Sequence, residues 1–177
     1  SATILESALG ISDDDDTQLT GATVSIDGNF TSGDTLAAGV SDGDITVDYD
    51  DGTGVLTLSG TDSISDYLTV LQSVGFSSTS EDPTATASSR TITFEVTDAN
   101  SDGTGAQTGN ASTTVNITPL SDTPVVTAGS TVSYTEGASA TILESALGIS
   151  DDDDTQLTGA TVSIDGNFTS GDTLAAG

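Results

Sequence analysis

The stretch SATILESALGISDDDDTQLTGATVSIDGNFTSGDTLAAG occupies residues 1–39 and returns without a substitution as residues 139–177. The chain therefore holds one period of 138 residues and the start of a second. Within the stretch, Ala22, Val24 and Ile26 alternate with polar residues, which is typical of a half-buried β-strand. A period of this length corresponds to a whole domain. The sequence thus predicts a tandem array of β-rich modules, and such arrays usually serve reach or multivalency rather than catalysis.

Four further short runs show the same alternation of apolar and polar residues: Ile45-Val47-Tyr49, Leu56-Leu58, Ile92-Phe94-Val96 and Thr113-Val115-Ile117. The Gly-rich turn at 50–54 predicts a hairpin between two of these strands. A second hairpin is predicted past Pro119, with strands at Pro124–Thr127 and Thr131–Thr135 joined by residues 128–130. About seven strands in one period predict an all-β fold, an antiparallel sandwich of two sheets in each module.

One segment of each module departs from this alternation. Apolar residues recur there every three or four positions, at Ile64, Tyr67, Leu68, Leu71 and Val74. This spacing predicts an amphipathic α-helix of about three turns that covers one open side of the sandwich. Ser63 and Asp66 predict its capped start, and Gly75 predicts a left-handed stop.

The module boundary is predicted in the segment 118–124, where Pro119 and Pro124 bracket a short polar turn. Residues 1–121 then form a module that lacks its own first strands, and residues 122–177 form the N-terminal part of the next identical module. Each proline restricts the residue before it, so the joint is expected to be stiff. The missing strands are supplied either by a longer array or by a neighbouring molecule.

The charge of the chain points to bound cations. Residues 1–138 contain 21 acidic residues and one base, Arg90, and the whole chain carries a formal charge of −27. Self-repulsion of this size opposes a compact fold unless cations neutralise it. The absence of Cys and His leaves only oxygen ligands, which favours Ca²⁺ at extracellular concentrations. We therefore expect several calcium ions per module, in place of disulfides.

Several classes of partner are excluded by the same composition. No basic patch is present to bind nucleic acid or an anionic membrane surface, and no apolar stretch is long enough to insert into a membrane. Arg90 is expected to pair with a nearby acid. Catalysis is not expected either, because the chain lacks His, Cys and Lys and its acidic pairs are explained by calcium.

Two loops are the main candidate metal sites. The segment 98–103 fits D-x-N-x-D-G, the first half of an EF-hand loop, with Asp98, Asn100 and Asp102 as ligands. Position twelve would be Gly109 rather than Glu, so we expect either a calcium-stapled hairpin loop or a plain polar turn. The second loop is a run of four carboxylates, which either holds a cation or is a solvated charge run. The run consists of Asp13, Asp14, Asp15 and Asp16, and it is repeated as Asp151, Asp152, Asp153 and Asp154.

Other acids are weaker candidates. Asp122 and Glu136 lie near the predicted meeting point of two modules, so they are candidate ligands of an interdomain ion. Seven more acids are either ligands or exposed side chains: Glu6, Asp42, Asp44, Asp50, Asp51, Glu81 and Asp82.

Five motifs in order resemble the cadherin-like, immunoglobulin-like repeats of giant bacterial surface adhesins of the repeats-in-toxin type. They are YTEG at 134–137, LGISDDD at 9–15, GVLTL at 54–58, the helix 66–74, and FEVTD at 94–98 ahead of an SDTPV linker. The resemblance implies a calcium-stiffened extender whose ions lie at the aspartates after Ile11, at Asp98, at Asp122 and at Glu136. It also implies type I secretion, a Gram-negative cell surface, contacts between neighbouring identical modules, and adhesion ligands bound by other domains of the full protein.

One departure from this family concerns the linker 119–122, which lacks the second acid and the asparagines of the cadherin linker. The number and placement of interdomain ions therefore stay open. The rival hypothesis is a module that itself binds glycan or ice. Such a module would present a Thr ladder or exposed aromatics, and no strict Thr-x-Thr ladder runs through the period.

Overall fold

The computed structural model describes residues 2–176, and the chain divides into two compact units, Ser1–Leu120 and Ser121–Gly177. The elements of the first unit are β1 Thr3–Ile4, β2 Gln18–Gly28, β3 Asp34–Ala38, β4 Thr46–Asp50, β5 Val55–Ser63, α1 Ile64–Gln72, β6 Val74–Ser78, β7 Ser89–Asp98 and β8 Thr108–Asn116. Those of the second unit are β9 Val125–Thr127 and β10 Gly148–Ser150.

The first unit is an antiparallel sandwich of two sheets. One sheet has five strands in the order β4-β5-β2-β7-β8, and the other has three in the order β1-β6-β3. The prediction of an all-β sandwich with one short helix is therefore confirmed for this unit. Its core consists of Leu19, Ala22, Val24, Ile26, Leu36, Ile45, Leu56, Leu58, Tyr67, Val70, Leu71, Val74, Phe76, Ile92 and Phe94.

Strand β2 is the centre of the larger sheet. Its alternating residues Ala22, Val24 and Ile26 are all buried, as the period-two pattern predicts. Val24 lies opposite Leu56 of β5 on one side and opposite Phe94 of β7 on the other. Both partners of β2 come later in the chain, so this strand depends on long-range pairing.

The helix α1 begins where the sequence predicts and ends earlier. Ser63 is its N-cap, and its hydroxyl accepts the backbone N–H of Asp66 at 3.1 Å. The predicted left-handed stop at Gly75 is wrong, because the helix ends at Gln72 and Gly75 lies in β6 between Ile4 of β1 and Ala37 of β3. A Cβ at Gly75 would lie 3.3 Å from the carbonyl oxygen of Thr3, so the glycine permits close approach of two strands.

The hairpin predicted at 50–54 joins β4 to β5 and is confirmed. Its geometry rests on Asp50, whose Oδ1 accepts the N–H of Gly52 at 2.9 Å, a bond that lowers the pKa of this carboxyl. Gly54 adopts φ +74°, and a Cβ there would lie 2.7 Å from the Phe30 ring. Three strands that sequence reasoning missed, β1, β3 and β6, form the smaller sheet.

The second hairpin prediction is wrong. Residues 131–135 form no strand, and β9 pairs instead with β10, with Val126 opposite Ile149. The turn at 128–130, which was predicted to join the two strands, binds the Glu144 side chain instead. The Glu144 carboxylate accepts the N–H groups of Gly129 and Ser130 at 3.0 and 2.9 Å. The backbone after β9 is therefore drawn toward Glu144.

The two copies of the repeated stretch adopt different structures. Residues 18–28 form β2, whereas the identical residues 156–166 form no strand. Val24 is fully buried, and its copy Val162 is 72% exposed. The strands that flank β2 in the first unit, β5 and β7, lie outside the repeated stretch.

Arg90 is buried in an ion pair that joins the two sheets, which confirms the expectation that it pairs with an acid. Its Nε donates to Oδ2 of Asp34, the first residue of β3, and both side chains have no exposed surface. Its Nη2 donates to the carbonyl of Pro83 at 2.8 Å and its Nη1 to that of Ala87 at 3.0 Å. Thr31 N–H also donates to Asp34 at 3.0 Å, so both partners are well satisfied.

Replacing Arg90 with Met should leave the Asp34 carboxylate buried without its counter-charge. The expected loss is about 3–5 kcal/mol in the free energy of unfolding, measured by urea denaturation of the full chain. Asp48→Asn removes an exposed acid from β4 and should change stability by less than about 0.5 kcal/mol. A loss below about 1 kcal/mol for Arg90→Met would show that the pair contributes little to holding the sheets together.

Candidate metal centres

The two strongest candidate loops meet at one end of the first unit. Leu19 of β2 pairs with Asp98 of β7, which places the loop before β2 beside the loop after β7. Ser101 N–H donates to Asp16 Oδ1 at 3.0 Å, and Ser101 Oγ donates to the Asp15 carbonyl at 3.3 Å. We call these loops, residues 13–16 and 98–107, the paired-loop cluster.

The oxygens of the D-x-N-x-D-G loop are engaged by its own backbone. Asp98 accepts the N–H groups of Asn100 at 2.9 Å and Gln107 at 2.8 Å, one on each carboxylate oxygen. Asn100 Oδ1 accepts Gly105 N–H at 2.7 Å. Asp102 accepts Thr104 N–H at 3.0 Å, and bonds from the Thr104 hydroxyl and N–H lower its pKa. These residues therefore close a tight turn.

The Asp13–Asp16 run is stabilised in part by the same means. Asp13 Oδ1 accepts the N–H groups of Asp16 at 2.9 Å and Asp15 at 3.1 Å, and these bonds lower the pKa of Asp13. The pKa of Asp15 is raised by its hydrogen bond to Asp13, then by the charges of Asp13, Asp102 and Asp16. Asp16 is buried, while Asp14 is exposed. The hydrogen bond to Asp13 and the neighbouring like charges thus both disfavour the ionised form of Asp15.

A second acidic group was not predicted as a unit. Asp42, Asp44 and Asp62 each place one carboxylate oxygen within 4.8 Å of the others. Asp42 and Asp44 were weak candidates from sequence, and Asp62 was missed. Asp62 lies near the end of β5, and only the fold brings it to the loop before β4. We call this group the Asp42–Asp44–Asp62 cluster.

Asp62 is the most perturbed carboxylate of this cluster. The hydrogen bond from Ser63 N–H is the largest single influence and lowers its pKa. Burial and the charges of Asp66, Asp42 and Asp44 act in the opposite direction and together raise the pKa above its ordinary value. The cluster is therefore a place where negative charge is concentrated without a compensating base.

The second copy of the acidic run forms its own group. Asp151, Asp153 and Asp154 place carboxylate oxygens within 4.8 Å of one another, and Asp151 Oδ1 accepts the Asp154 N–H at 2.8 Å. Asp122 N–H donates to Asp153 Oδ2 at 3.0 Å, so the linker acid lies beside the run. Asp152 and Glu136 are exposed.

Glu144 is a structural side chain whose role the sequence did not predict. Its carboxylate accepts N–H bonds from Gly129, Ser130 and Ala146 and a hydroxyl bond from Ser130 at 2.8 Å. The bonds from Gly129 and Ser130, in that order, contribute most to lowering its pKa to about 2. In the sequence, only its copy Glu6 was named, as one of seven weak candidate ligands. No signal in the sequence predicted that this carboxylate binds a backbone turn.

The donor sets differ in how well they fit calcium. Oxygens on opposite sides of a Ca²⁺ ion lie roughly 4.6–5.2 Å apart, since each bond is about 2.3–2.6 Å long. The Asp42–Asp44–Asp62 cluster and the Asp151-Asp153-Asp154 group meet this limit with hard carboxylate ligands. Among the described residues, no three carboxylates of the paired-loop cluster converge to this distance. The spacing of the ligand oxygens therefore suits calcium at one group that the sequence ranked low and at the second copy of the Asp run, which the sequence ranked high.

A groove of about 480 Å³ adjoins the paired-loop cluster in the first unit. The start of α1 forms one wall, and the loop before β2 forms the other. Its lining residues are Ile11, Ser12, Asp13, Asp16, Thr17, Ser63, Ile64, Ser65 and Leu68.

No family model matches this chain, and no solved structure matches it. The chain is similar to Halomucin from Haloquadratum walsbyi (strain DSM 16790 / HBSQ001), with 39% identity over 98 residues. The match covers 52% of this chain and 1% of Halomucin, so the chain spans a very small part of that relative. Within residues 2–176, no helix is long and apolar enough to cross a membrane.

Gly60 of β5 positions the backbone around the Asp42–Asp44–Asp62 cluster. It adopts φ +128°, and a Cβ there would overlap the carbonyl oxygen of Asp44. Gly60→Ala should therefore cost at least about 2 kcal/mol in the free energy of unfolding, measured by urea denaturation. Gly109→Ala in β8 meets only the Val96 side chain at 3.9 Å and is the matched control. Equal losses in the two variants would contradict the role given to Gly60.

The raised pKa of Asp62 sets the sign of a pH effect. The folded state holds the Asp62 proton to higher pH than the unfolded state, so this group contributes stability at acid pH that is lost as pH rises through the folded pKa. In chelator, Asp62→Asn should therefore raise the melting temperature at pH 7, and the gain should vanish at pH 3. Thermal melts at both pH values test this, and a variant that is less stable than wild type at pH 7 would contradict it.

Proposed function

We propose that this chain is a calcium-stabilised extender region of a large extracellular surface adhesin. The observation that carries the proposal is the unbroken identity of residues 1–39 with residues 139–177. Identical modules in series add length without adding a new binding surface. In this function the modules space other domains, which bind the adhesion ligand, away from the cell.

The β-sandwich of the first unit is suited to a spacer. Its core lies between two sheets within residues 1–120, so the same core can recur in each module of an array. No paired catalytic groups are needed for such a role. The neighbouring identical modules of the same chain are its direct partners.

Calcium supplies the charge balance in this proposal. The only base of the chain, Arg90, is used inside the sandwich against Asp34, so the remaining acids have no protein counter-charge. Asp42, Asp44 and Asp62 would hold an ion in the first unit, and Asp151, Asp153 and Asp154 would hold one in the second. A bound cation would relieve the repulsion that raises the pKa of Asp62.

An extracellular location is supported by the composition of the sites. Sites built from carboxylates alone suit the high calcium concentrations outside cells. The partial similarity to Halomucin, of which the match covers 1%, is in keeping with a very long protein. A bacterial cell surface reached by type I secretion, and a role in biofilm formation, rest on the family resemblance of the sequence motifs.

A second candidate function, glycan or ice binding by the module itself, is favoured by the groove beside α1. Its lining combines hydroxyls and carboxylates with the apolar side chains of Ile11, Ile64 and Leu68. A spacer should give no signal on a glycan array and no inhibition of ice recrystallisation. A signal in either assay that Leu68→Ala removes would favour the binding module.

Calcium should raise the melting temperature of the full chain. A site that is bound only in the folded state contributes about 2.7 kcal/mol at a hundred times its dissociation constant, which corresponds to a shift of roughly 5–10 °C per site. Melts in millimolar calcium, in magnesium and in chelator measure the shift.

The Asp42–Asp44–Asp62 cluster predicts which variant loses that shift. Asp62→Asn should remove most of the calcium-dependent gain in the first unit, while Asp48→Asn, which removes an exposed acid from β4, should keep it. A wild-type chain with no calcium shift would overturn the calcium part of the proposal. An Asp62→Asn chain with the full shift would place calcium elsewhere.

A further inference from the structure

The segment 122–130 of the second unit is attached to the repeated stretch by three contacts. Asp122 N–H donates to Asp153 Oδ2 at 3.0 Å. Strand β9 pairs antiparallel with β10, with Val125 opposite Ser150 and Thr127 opposite Gly148. The Glu144 carboxylate accepts the N–H groups of Gly129 and Ser130 and the hydroxyl of Ser130.

All three receiving features belong to the repeated stretch, so each has an identical copy in the first unit. The copies are Glu6, Gly10–Ser12 and Asp15, which we call the receiving edge. Within residues 2–176, Gly10–Ser12 belong to no strand, and Glu6 accepts only the nearby Ala8 N–H at 3.1 Å. The first unit thus carries the same residues at these positions, although Asp15 there also contacts Ser101 in the paired-loop cluster.

The receiving edge is also free of the other sheet contacts of its neighbourhood. Thr3 and Ile4 pair with β6 in the smaller sheet, and this pairing stops before Gly10. Ile11 and Ser12 line the groove beside α1, while the Ile11 side chain packs against the core and the Leu9 carbonyl accepts Gln72 Nε2 at 2.9 Å. Within residues 2–176, Gly10–Ser12 form no backbone–backbone hydrogen bond, so their backbone groups are available to an added strand.

We propose that the receiving edge of the first unit is a docking site for a second copy of the segment Asp122–Ser130, supplied by the repeat directly upstream in the same chain. The register follows from the second unit: the copy of Val126 lies opposite Ile11, and the copies of Gly129 and Ser130 bond to Glu6. The segment is then the first strand of the module that it precedes. This inference goes beyond the extender proposal, since it requires neither calcium nor adhesion.

Supply within one chain is favoured by the small size of the contact. A ladder of three residue pairs is too short to bind tightly between separate molecules. A short connection raises the effective concentration of the segment to roughly the millimolar range. In the second unit, residues 131–143 connect the segment to Glu144, the first residue of the repeated stretch that the segment contacts. The connection from an upstream copy to Glu6 would have the same length.

The absence of cysteine from the chain allows a test by disulfide trapping. The full chain is extended by placing a copy of Asp122–Ala138 before Ser1, and the copy of Val126 and Ile11 are both changed to Cys. Directly opposite residues of an antiparallel pair lie about 4.5–5.5 Å apart at Cα, which a disulfide can span. In chelator, oxidation should give a monomeric disulfide, detected by thiol titration and non-reducing gel mobility.

Matched variants decide the outcome. Val126→Cys with Ile149→Cys in the unextended chain traps the pairing seen in the second unit and shows that the geometry is competent. In the extended chain, Asp48→Cys replaces Ile11→Cys and places an exposed thiol on β4. This thiol should form a disulfide with the copy of Val126→Cys at least about tenfold less often. Closure at Ile11 no better than this control would overturn the proposal.

Two further arms test the source and the carboxylate. Ile11→Cys with Val126→Cys in the unextended chain should give no crosslinked dimers, and efficient dimer formation there would overturn supply within one chain.

Glu6→Gln should lower the melting temperature of the extended chain by several degrees more than that of the unextended chain. Equal effects in the two backgrounds would contradict capture of the upstream turn by Glu6. None of these arms depends on calcium, so their failure is distinguishable from failure of the extender proposal.

Discussion

The pairing of β2 with β5 and β7 is the constraint on which the rest of the sandwich depends. It places Val24 between Leu56 and Phe94 and brings the loops at 13–16 and 98–107 together. In the second unit, residues 156–166 are not flanked by counterparts of β5 and β7 and form no strand. Strand formation by this sequence therefore depends on its cross-strand neighbours.

The second general feature of the molecule is the way in which its charged side chains are paired. Arg90 is buried against Asp34, so the positive charge that the chain possesses holds the two sheets together and neutralises nothing on the surface. Many of the acids are instead satisfied by backbone N–H groups, as at Asp98 and Glu144. At Asp62 the one bond from Ser63 N–H is outweighed by burial and by the charges of Asp66, Asp42 and Asp44, so a cation has the most to contribute there.

Local signals were predicted well, and signals that depend on distant residues were not. The cap at Ser63 and the turn at 50–54 rest on bonds between residues two or three apart, so their motifs sufficed. The helix end was misplaced because Gly75 serves the close approach of β1 rather than a left-handed turn. The D-x-N-x-D-G motif was found correctly, but its oxygens bond to its own loop, which no spacing rule reveals.

By itself, the sequence determined the tandem period, the all-β class, the start of the helix and the large negative charge, because each is written in composition or in short-range periodicity. Only the tertiary structure decided which acids converge. Asp62 joins Asp42 and Asp44, and Glu144 reaches Gly129 and Ser130, across gaps of 14 to 20 residues that the chain closes by folding. The physical reason is that carboxylate clusters and strand partners are set by sheet register, and register is a property of the whole packed module.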